Sequence, residues 1–284
     1  MGNVIAVVNH KGGTGKTTTA INLAAGLTRY SDVTSSCLLI DMDPHGCATS
    51  TLLGKMDGEP PARSVFDVLR RAITPHDGIT STVYDENIDI LPSSPSLESM
   101  AKTQITDRLA KVVQALTTSY GWIIIDTPPN LGVLTQNALV AADYALIPTP
   151  CTGLAVPTLR QMLTLIERVQ ERQNVWLQVL GILVTMKDGR TPLQKDVQKE
   201  LRAAASGQDI FRTVITNNIK IEEAPAKFQS IYAYDSGCLG ASLYRDWIKK
   251  DFLKRHGRLE KKRVELIEKG LSGVAGNAVE QEAT

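Results

Sequence analysis

The densest chemistry in the chain lies near its amino terminus, in the run Lys11-Gly12-Gly13-Thr14-Gly15-Lys16-Thr17-Thr18. Glycines at this spacing let the backbone turn so tightly that successive N–H groups converge on one anion, and a helix starting at the end of the run adds its dipole. Lys16 would then reach the β- and γ-phosphates of a nucleotide, and the Thr17 hydroxyl would ligate Mg²⁺. The usual phosphate loop begins on a glycine that this chain lacks, so the motif is a deviant form. Two apolar runs end in carboxylates: Ile40-Asp41-Met42-Asp43-Pro44 and Ile124-Ile125-Asp126-Thr127-Pro128-Pro129. Asp126 is expected to hold the Mg²⁺ shell from its second sphere, and Asp41 or Asp43 to orient an attacking water. Phosphoryl transfer has a loose transition state, so positioning and charge neutralisation are most of its catalysis.

These groups act together only on a scaffold that gathers them. Short, continuously apolar runs predict strands at Val4–Val8, Cys37–Ile40, Ile88–Leu91, Trp122–Ile125, Tyr144–Ile147, Val179–Val184 and Phe211–Ile215. Helical periodicity predicts helices at Lys16–Tyr30, Thr106–Ser119, Leu131–Ala141, Val156–Gln173, Pro192–Ala205 and Gly240–Arg255. Strands buried on both faces and separated by helices imply an α/β fold, a single doubly wound, mainly parallel sheet flanked by helices. Ligands of such sheets sit at the carboxyl ends of the strands, where all three motifs fall. Gly54–Arg63 reads as a polar loop, and the stretch from about Gly270 to Thr284 as a mobile tail. The expected division is a P-loop domain over 1–256 and a C-terminal helical extension and tail over 257–284.

Composition narrows the class. Lys+Arg 31 against Asp+Glu 30 leaves a net charge of +1, which excludes a protein basic over its whole surface but not one with a basic face. Hydrophobic residues at 43% and charged residues at 21% exclude wholesale disorder. The four cysteines, Cys37, Cys47, Cys151 and Cys238, form no C-x-x-C pair, which argues against a disulfide framework or a zinc site. No apolar run reaches membrane-span length, and the first residues lack a signal-peptide pattern. A cytoplasmic protein is the expectation.

With these motifs in hand the chain resembles the ParA/Soj family of deviant-Walker ATPases, relatives of MinD, over about Val4 to Phe252. The resemblance is carried by NHKGGTGKTTTAINLA, LLIDMDPHGCATSTL, WIIIDTPPNLGVLTQNAL, GILVTMKDGRT, IKIEEAP and YAYDSGCLGASLY. It implies a P-loop NTPase with ATP and Mg²⁺ as cofactors and a homodimer that sandwiches ATP. It implies that Lys11 reaches across to the partner's phosphates, joining Lys16 and Asp43 in the catalytic set. By the same resemblance Asp43 positions the hydrolytic water, Asp41 joins Thr17 and Asp126 around Mg²⁺, and Pro225, with Met186, packs against adenine. The family's usual DPQG reads Asp43-Pro44-His45-Gly46 here.

The resemblance also implies binding of nonspecific DNA by the ATP-bound dimer, nucleoid association in that state, and release when a ParB-like cargo adaptor stimulates an otherwise slow hydrolysis. The cargo would be a plasmid, a chromosome origin or a protein body such as a carboxysome. Arg190 and Lys220 stand where relatives carry DNA-binding cations, and Lys187, Lys195, Lys199 and Arg202 would extend the patch. Between Ser242 and Gly270 ten Lys/Arg face five Asp/Glu, a local excess that suits salt-dependent, sequence-tolerant phosphate contacts. A MinD-like membrane-surface ATPase is the alternative; Leu259, Val264, Leu266, Ile267 and Leu271 make only a thin apolar set for it. An iron–sulfur carrier on the same fold would need clustered cysteines that the sequence lacks.

Overall fold

The computed structural model describes residues 3–31, 36–54, 61–82, 87–187, 192–205, 207–208 and 210–268, the side chains of 192–195 and 198 excepted. Arg190, the Lys195 side chain, most of the 54–63 loop and the 270–284 tail therefore lie outside what is described.

In chain order the elements are β1 (Asn3–Val7), α1 (Lys16–Tyr30), β2 (Cys37–Asp41), α2 (Cys47–Leu53), α3 (Val65–Leu69), β3 (Thr80–Ser81), β4 (Ile88–Leu91), α4 (Leu97–Ala101), α5 (Arg108–Leu116) and β5 (Trp122–Asp126). There follow α6 (Val133–Ala141), β6 (Tyr144–Pro150), α7 (Ala155–Arg172), β7 (Gln178–Thr185), α8 (Pro192–Ala204), α9 (Ile219–Ala226), α10 (Ile231–Asp235), α11 (Leu239–Asp246) and α12 (Leu253–Glu268). A π turn, Trp247–Phe252, joins the last two. Among the described residues seven strands form one sheet in the order β3-β4-β2-β5-β1-β6-β7, parallel except for β3 against β4.

Period-two burial explains the layers. Val4, Ala6, Leu38, Ile40, Ile123 and Ile125 face one core, while Ile5, Val7, Cys37, Leu39, Trp122 and Ile124 face the other. Each fully buried Ile or Leu contributes roughly 1.5–3 kcal/mol. The apolar stretches are therefore spent on both faces of the sheet, and the polar residues that follow them are left at its carboxyl edge.

Two expectations are corrected. Phe211–Ile215 is not a strand; its end residues donate N–H to β7, Phe211 to the Ile182 carbonyl at 3.0 Å and Ile215 to the Val184 carbonyl at 2.9 Å, and the flanking Ile210 and Thr216 make isolated bridges with Ile182 and Lys187, but no continuous ladder forms. The Thr213 N–H donates to Asp251 Oδ2 at 2.7 Å instead of to a ladder, which breaks the pairing. The single helix expected over Gly240–Arg255 is instead α11, the π turn and α12, running on to Glu268. The wider turn buries Trp247, Ile248 and Phe252 together. Buried Leu259 and an Arg263–Asp143 ion pair at 2.8 Å tie α12 to the rest of the fold.

Candidate functional site

β1 lies between β5 and β6, so its carboxyl end is where the chain's connections diverge to the two halves of the sheet. The phosphate loop leaves from that end. Asn9, fully buried, donates to the Pro148 carbonyl at 2.8 Å and accepts from the Lys11 N–H at 3.2 Å, fixing how the loop departs. Gly13 and Gly15 adopt left-handed φ values of 68° and 83°, which a side chain would strain. Gly15 is also the N-cap of α1 and offers no side chain, so the first N–H groups of that helix face the loop uncapped. The Thr14 carbonyl accepts from Thr185 Oγ1 at 3.0 Å, which clamps the loop to the end of β7.

The carboxylates arrive by register. Asp126 pairs in the sheet with Val7 on one side and Asp41 on the other, so the two acids sit side by side, both fully buried. Asp126 Oδ2 accepts the Thr17 hydroxyl at 2.7 Å, and Oδ1 accepts the Thr127 N–H at 3.1 Å. Burial and then the neighbouring Asp41 charge hold the Asp126 carboxyl well above the usual carboxylate range. Asp41 is raised too, chiefly by burial. Its oxygens accept Thr49 N–H at 2.9 Å, Thr49 Oγ1 at 2.7 Å and Asp43 N–H at 3.1 Å, so it shapes the β2–α2 turn. Lys16 is only 7% exposed and donates to the Lys11 carbonyl at 3.2 Å. Burial lowers its pKa against the pull of Asp126 and Asp43. A buried cation beside an excess of buried carboxylate is a site built for further ions.

Mg²⁺ uses one or two carboxylates, a hydroxyl and substrate phosphates rather than a protein cage. Among the described residues no three His, Cys, Asp or Glu group as a cage, while the Thr17–Asp126 pair supplies that sparser donor set. Beside the loop a cavity of about 330 Å³ is lined by Gly15, Thr18, Met186, Asn217, Ile221 and Pro225, among others. Both residues expected against adenine, Met186 and Pro225, border it. Met186 is held at φ 54°, a costly conformation for a non-glycine residue. Sequence reasoning gave Asn217, Ile221 and Tyr244 of this lining no role; Ile221 and Tyr244 lie in the IKIEEAP and YAYDSGCLGASLY segments, but only packing brings them to the cavity.

Asp43 sits on the turn after β2, with His45 N and Nδ1 both reaching its Oδ1, at 3.1 and 2.9 Å. Among the described residues the Lys11 ammonium has no ion-pair partner. Of the expected DNA cations, Lys187 is brought beside Thr216 by the edge bridge, ahead of Lys220 on α9. Lys220 pairs with Glu223 at 3.1 Å and lies over the Tyr234 ring. Away from the nucleotide cavity, a groove of about 700 Å³ is lined by Arg212, Lys250, Lys254, Arg255, Arg258 and Lys261 among others. Arg212 also lines a smaller cavity with Lys187 and Arg202, so the basic surface runs on from one to the other.

Residues 2–179 match a family model described as an AAA domain. The chain is 38% identical over 256 residues to the sporulation initiation inhibitor protein Soj of Bacillus subtilis (strain 168), covering 88% of this chain and 98% of that protein. It is 36% identical over 265 residues to the chromosome-partitioning ATPase Soj of Treponema pallidum (strain Nichols), covering 91% and 100%. A solved structure of cobyrinic acid a,c-diamide synthase from Mycobacterium smegmatis, with bound ADP and magnesium, superposes with a TM-score of 0.70 at 31% identity, over 89% of this chain and 98% of that one.

Proposed function

Because the chain belongs to the Soj/ParA family of chromosome-partitioning ATPases, we propose that it is a Mg²⁺-dependent ATPase working as a DNA-tethered positioning switch. ATP closes two copies into a homodimer that binds DNA without sequence preference on the nucleoid. A cargo-bound adaptor stimulates the slow hydrolysis, and the dimer lets go. The observation that carries this reading is the Thr17–Asp126 hydrogen bond of 2.7 Å at the mouth of the uncapped, glycine-turned loop. Thr17 and Asp126, with Asp41 behind them, would organise Mg²⁺. Backbone N–H groups and Lys16 would hold the phosphates. Lys11, with no ion pair among the described residues, would neutralise charge across the dimer. Asp43 would orient the water, and Met186 and Pro225 would flank adenine. Residues 1–256 would form the ATPase unit and 257–284 an extension of it.

DNA contacts would begin at Lys187, Arg190 and Lys220 and continue along the basic groove through Arg212 and Lys254. This surface supports DNA over a membrane as the anionic partner. On α12, His256 and Leu259 are buried and Glu260 accepts the Tyr144 hydroxyl, so much of that helix is committed to the sheet. The deciding experiment is a gel shift with random-sequence DNA, run with ATP and with ADP. Retardation in ATP alone is expected; equal or absent retardation, or ATP-dependent binding to liposomes instead, would refute the reading. Lys16→Ala should lose nucleotide binding, whereas Asp43→Ala should keep ATP, keep the DNA shift and lose turnover.

A further inference from the structure

We propose that His45 is a positioning residue that sets the orientation of Asp43 through its imidazole hydrogen bond and makes ATP hydrolysis pH-dependent between about pH 6 and 8. The inference rests on the role given to Asp43 above. The backbone of Asp43 is fixed from three sides: its N–H donates to Asp41 Oδ1 at 3.1 Å, and its carbonyl accepts from Gly46 N–H at 2.9 Å and from the Ser93 hydroxyl. What remains free is the side-chain torsion. His45 settles it by placing its own N–H at 3.1 Å and its Nδ1 at 2.9 Å from the same oxygen, Oδ1. Among the described residues no donor lies within hydrogen-bond distance of Oδ2, so that oxygen is the one left for a water.

An ionised carboxylate only accepts, so Nδ1 carries the proton and the ring is the Nδ1–H tautomer or the imidazolium. The ring is largely exposed, at 76%, and takes up protons freely from solvent. The hydrogen bond to Asp43, then its charge and that of Glu98, raise the His45 pKa above its ordinary 6.5. Among the described residues Asp43 and Glu98 are the charged groups that face the ring. As the imidazolium, His45 places a full positive charge 2.9 Å from the carboxylate and competes with the water for its negative charge. As the neutral tautomer it keeps the orientation without that competition. A glutamine at this position would donate through a neutral amide at every pH; the histidine adds a titration.

Two measurements on the full-length protein test this. In single-turnover hydrolysis of saturating Mg·ATP, the wild-type rate should fall about tenfold from pH 8 to pH 6, and His45→Gln should keep the pH 8 rate and flatten the profile. His45→Ala should lower the rate severalfold at pH 8 with ATP affinity unchanged. The second measurement needs no turnover: the His45 imidazole resonance, identified among four histidines by its absence in His45→Gln, should titrate above 6.5 and return to about 6.5 in Asp43→Asn. A His45→Gln profile that keeps the wild-type acid limb, a wild-type rate that is flat or rises on acidification, an unaffected His45→Ala rate, or a His45 resonance indifferent to Asp43→Asn each overturns the proposal. A wild-type protein with no ATP turnover at any pH would instead overturn the function proposed above, and the resonance titration would still report on the His45–Asp43 pair.

Discussion

Asp126→Asn should make the nucleotide-free protein more stable while abolishing its activity. Asp126 is fully buried beside fully buried Asp41, and both burial and that neighbour hold its carboxyl above the ordinary range. A carboxyl whose folded pKa exceeds its unfolded one gives stability that is complete below about pH 4 and is lost as pH rises toward the folded value. At neutral pH the folded protein therefore carries a penalty that an amide does not. The amide also fits the hydrogen bonds: Oδ1 can still accept the Thr127 N–H, and Nδ2 can donate to Thr17 Oγ1, a hydroxyl that accepts as readily as it donates. Replacing a buried charge by a neutral group of the same shape typically gains 1–4 kcal/mol, so about 2 kcal/mol is expected. For a chain of this size that is a rise of about 4–8 °C in Tm.

Asp41→Asn is the contrasting control. Three donors converge on the Asp41 oxygens, two of them backbone N–H groups on opposite oxygens, so an amide must face one of them with its NH₂. That variant should lose about 1–3 kcal/mol. Differential scanning calorimetry without nucleotide, at pH 5 and pH 8, is the assay. The gap between wild type and Asp126→Asn should open with rising pH. Mg²⁺ with an ATP analogue should narrow it, because only the wild-type carboxylate gains from the cation. An Asp126→Asn protein no more stable than wild type at pH 8, or equally stabilised at both pH values, refutes the reasoning.

Gly26→Ala should lower Tm by about 3–10 °C, because its Cβ would run into Ile248 Cδ1 and lie 3.0 Å from Tyr232 Oη; adding Ile248→Val should recover part of the loss. Met186→Gly should leave Tm within about 2 °C, since relief at φ 54° offsets the entropy of glycine, yet weaken ATP binding roughly fivefold in calorimetric titration. Arg212→Glu with Lys254→Glu should weaken DNA binding and cut the slope of log affinity against log salt by about 2, with ATP binding unchanged. An unaltered slope would return those cations to the solvated surface.

The phosphate loop and the strand-end acids were legible because their chemistry is local. A glycine-turned loop, a helix start and a carboxylate after an apolar run each need only a few adjacent residues. Strands β1, β2, β4, β5, β6 and β7 were legible because strands buried on both faces leave continuous apolar runs. The Phe211–Ile215 segment misled because its apolar residues are buried against β7 without pairing as a strand, and nothing in its own sequence announces that Asp251 takes the Thr213 N–H. Helices α2, α3, α4, α9 and α10 went unread because none exceeds eight residues, too short for a period to register.

By itself the sequence determined the motifs of a phosphate loop, the strand ends that carry its acids and the family to which the chain belongs, since all three are written in residue types at short spacing. Only the tertiary structure decided which groups touch. Strand order buries Asp41 beside Asp126; burial raises both carboxyls, and the Asp41 charge raises Asp126 further. The Thr17 hydroxyl turns to Asp126 across 109 residues of chain, and Asn217 and Ile221 close the cavity that Met186 opens. Arg212 joins two stretches of basic surface that lie far apart in sequence. The physical reason is that desolvation and Coulomb interaction act through space over a few ångströms, and chain separation carries no information about that distance.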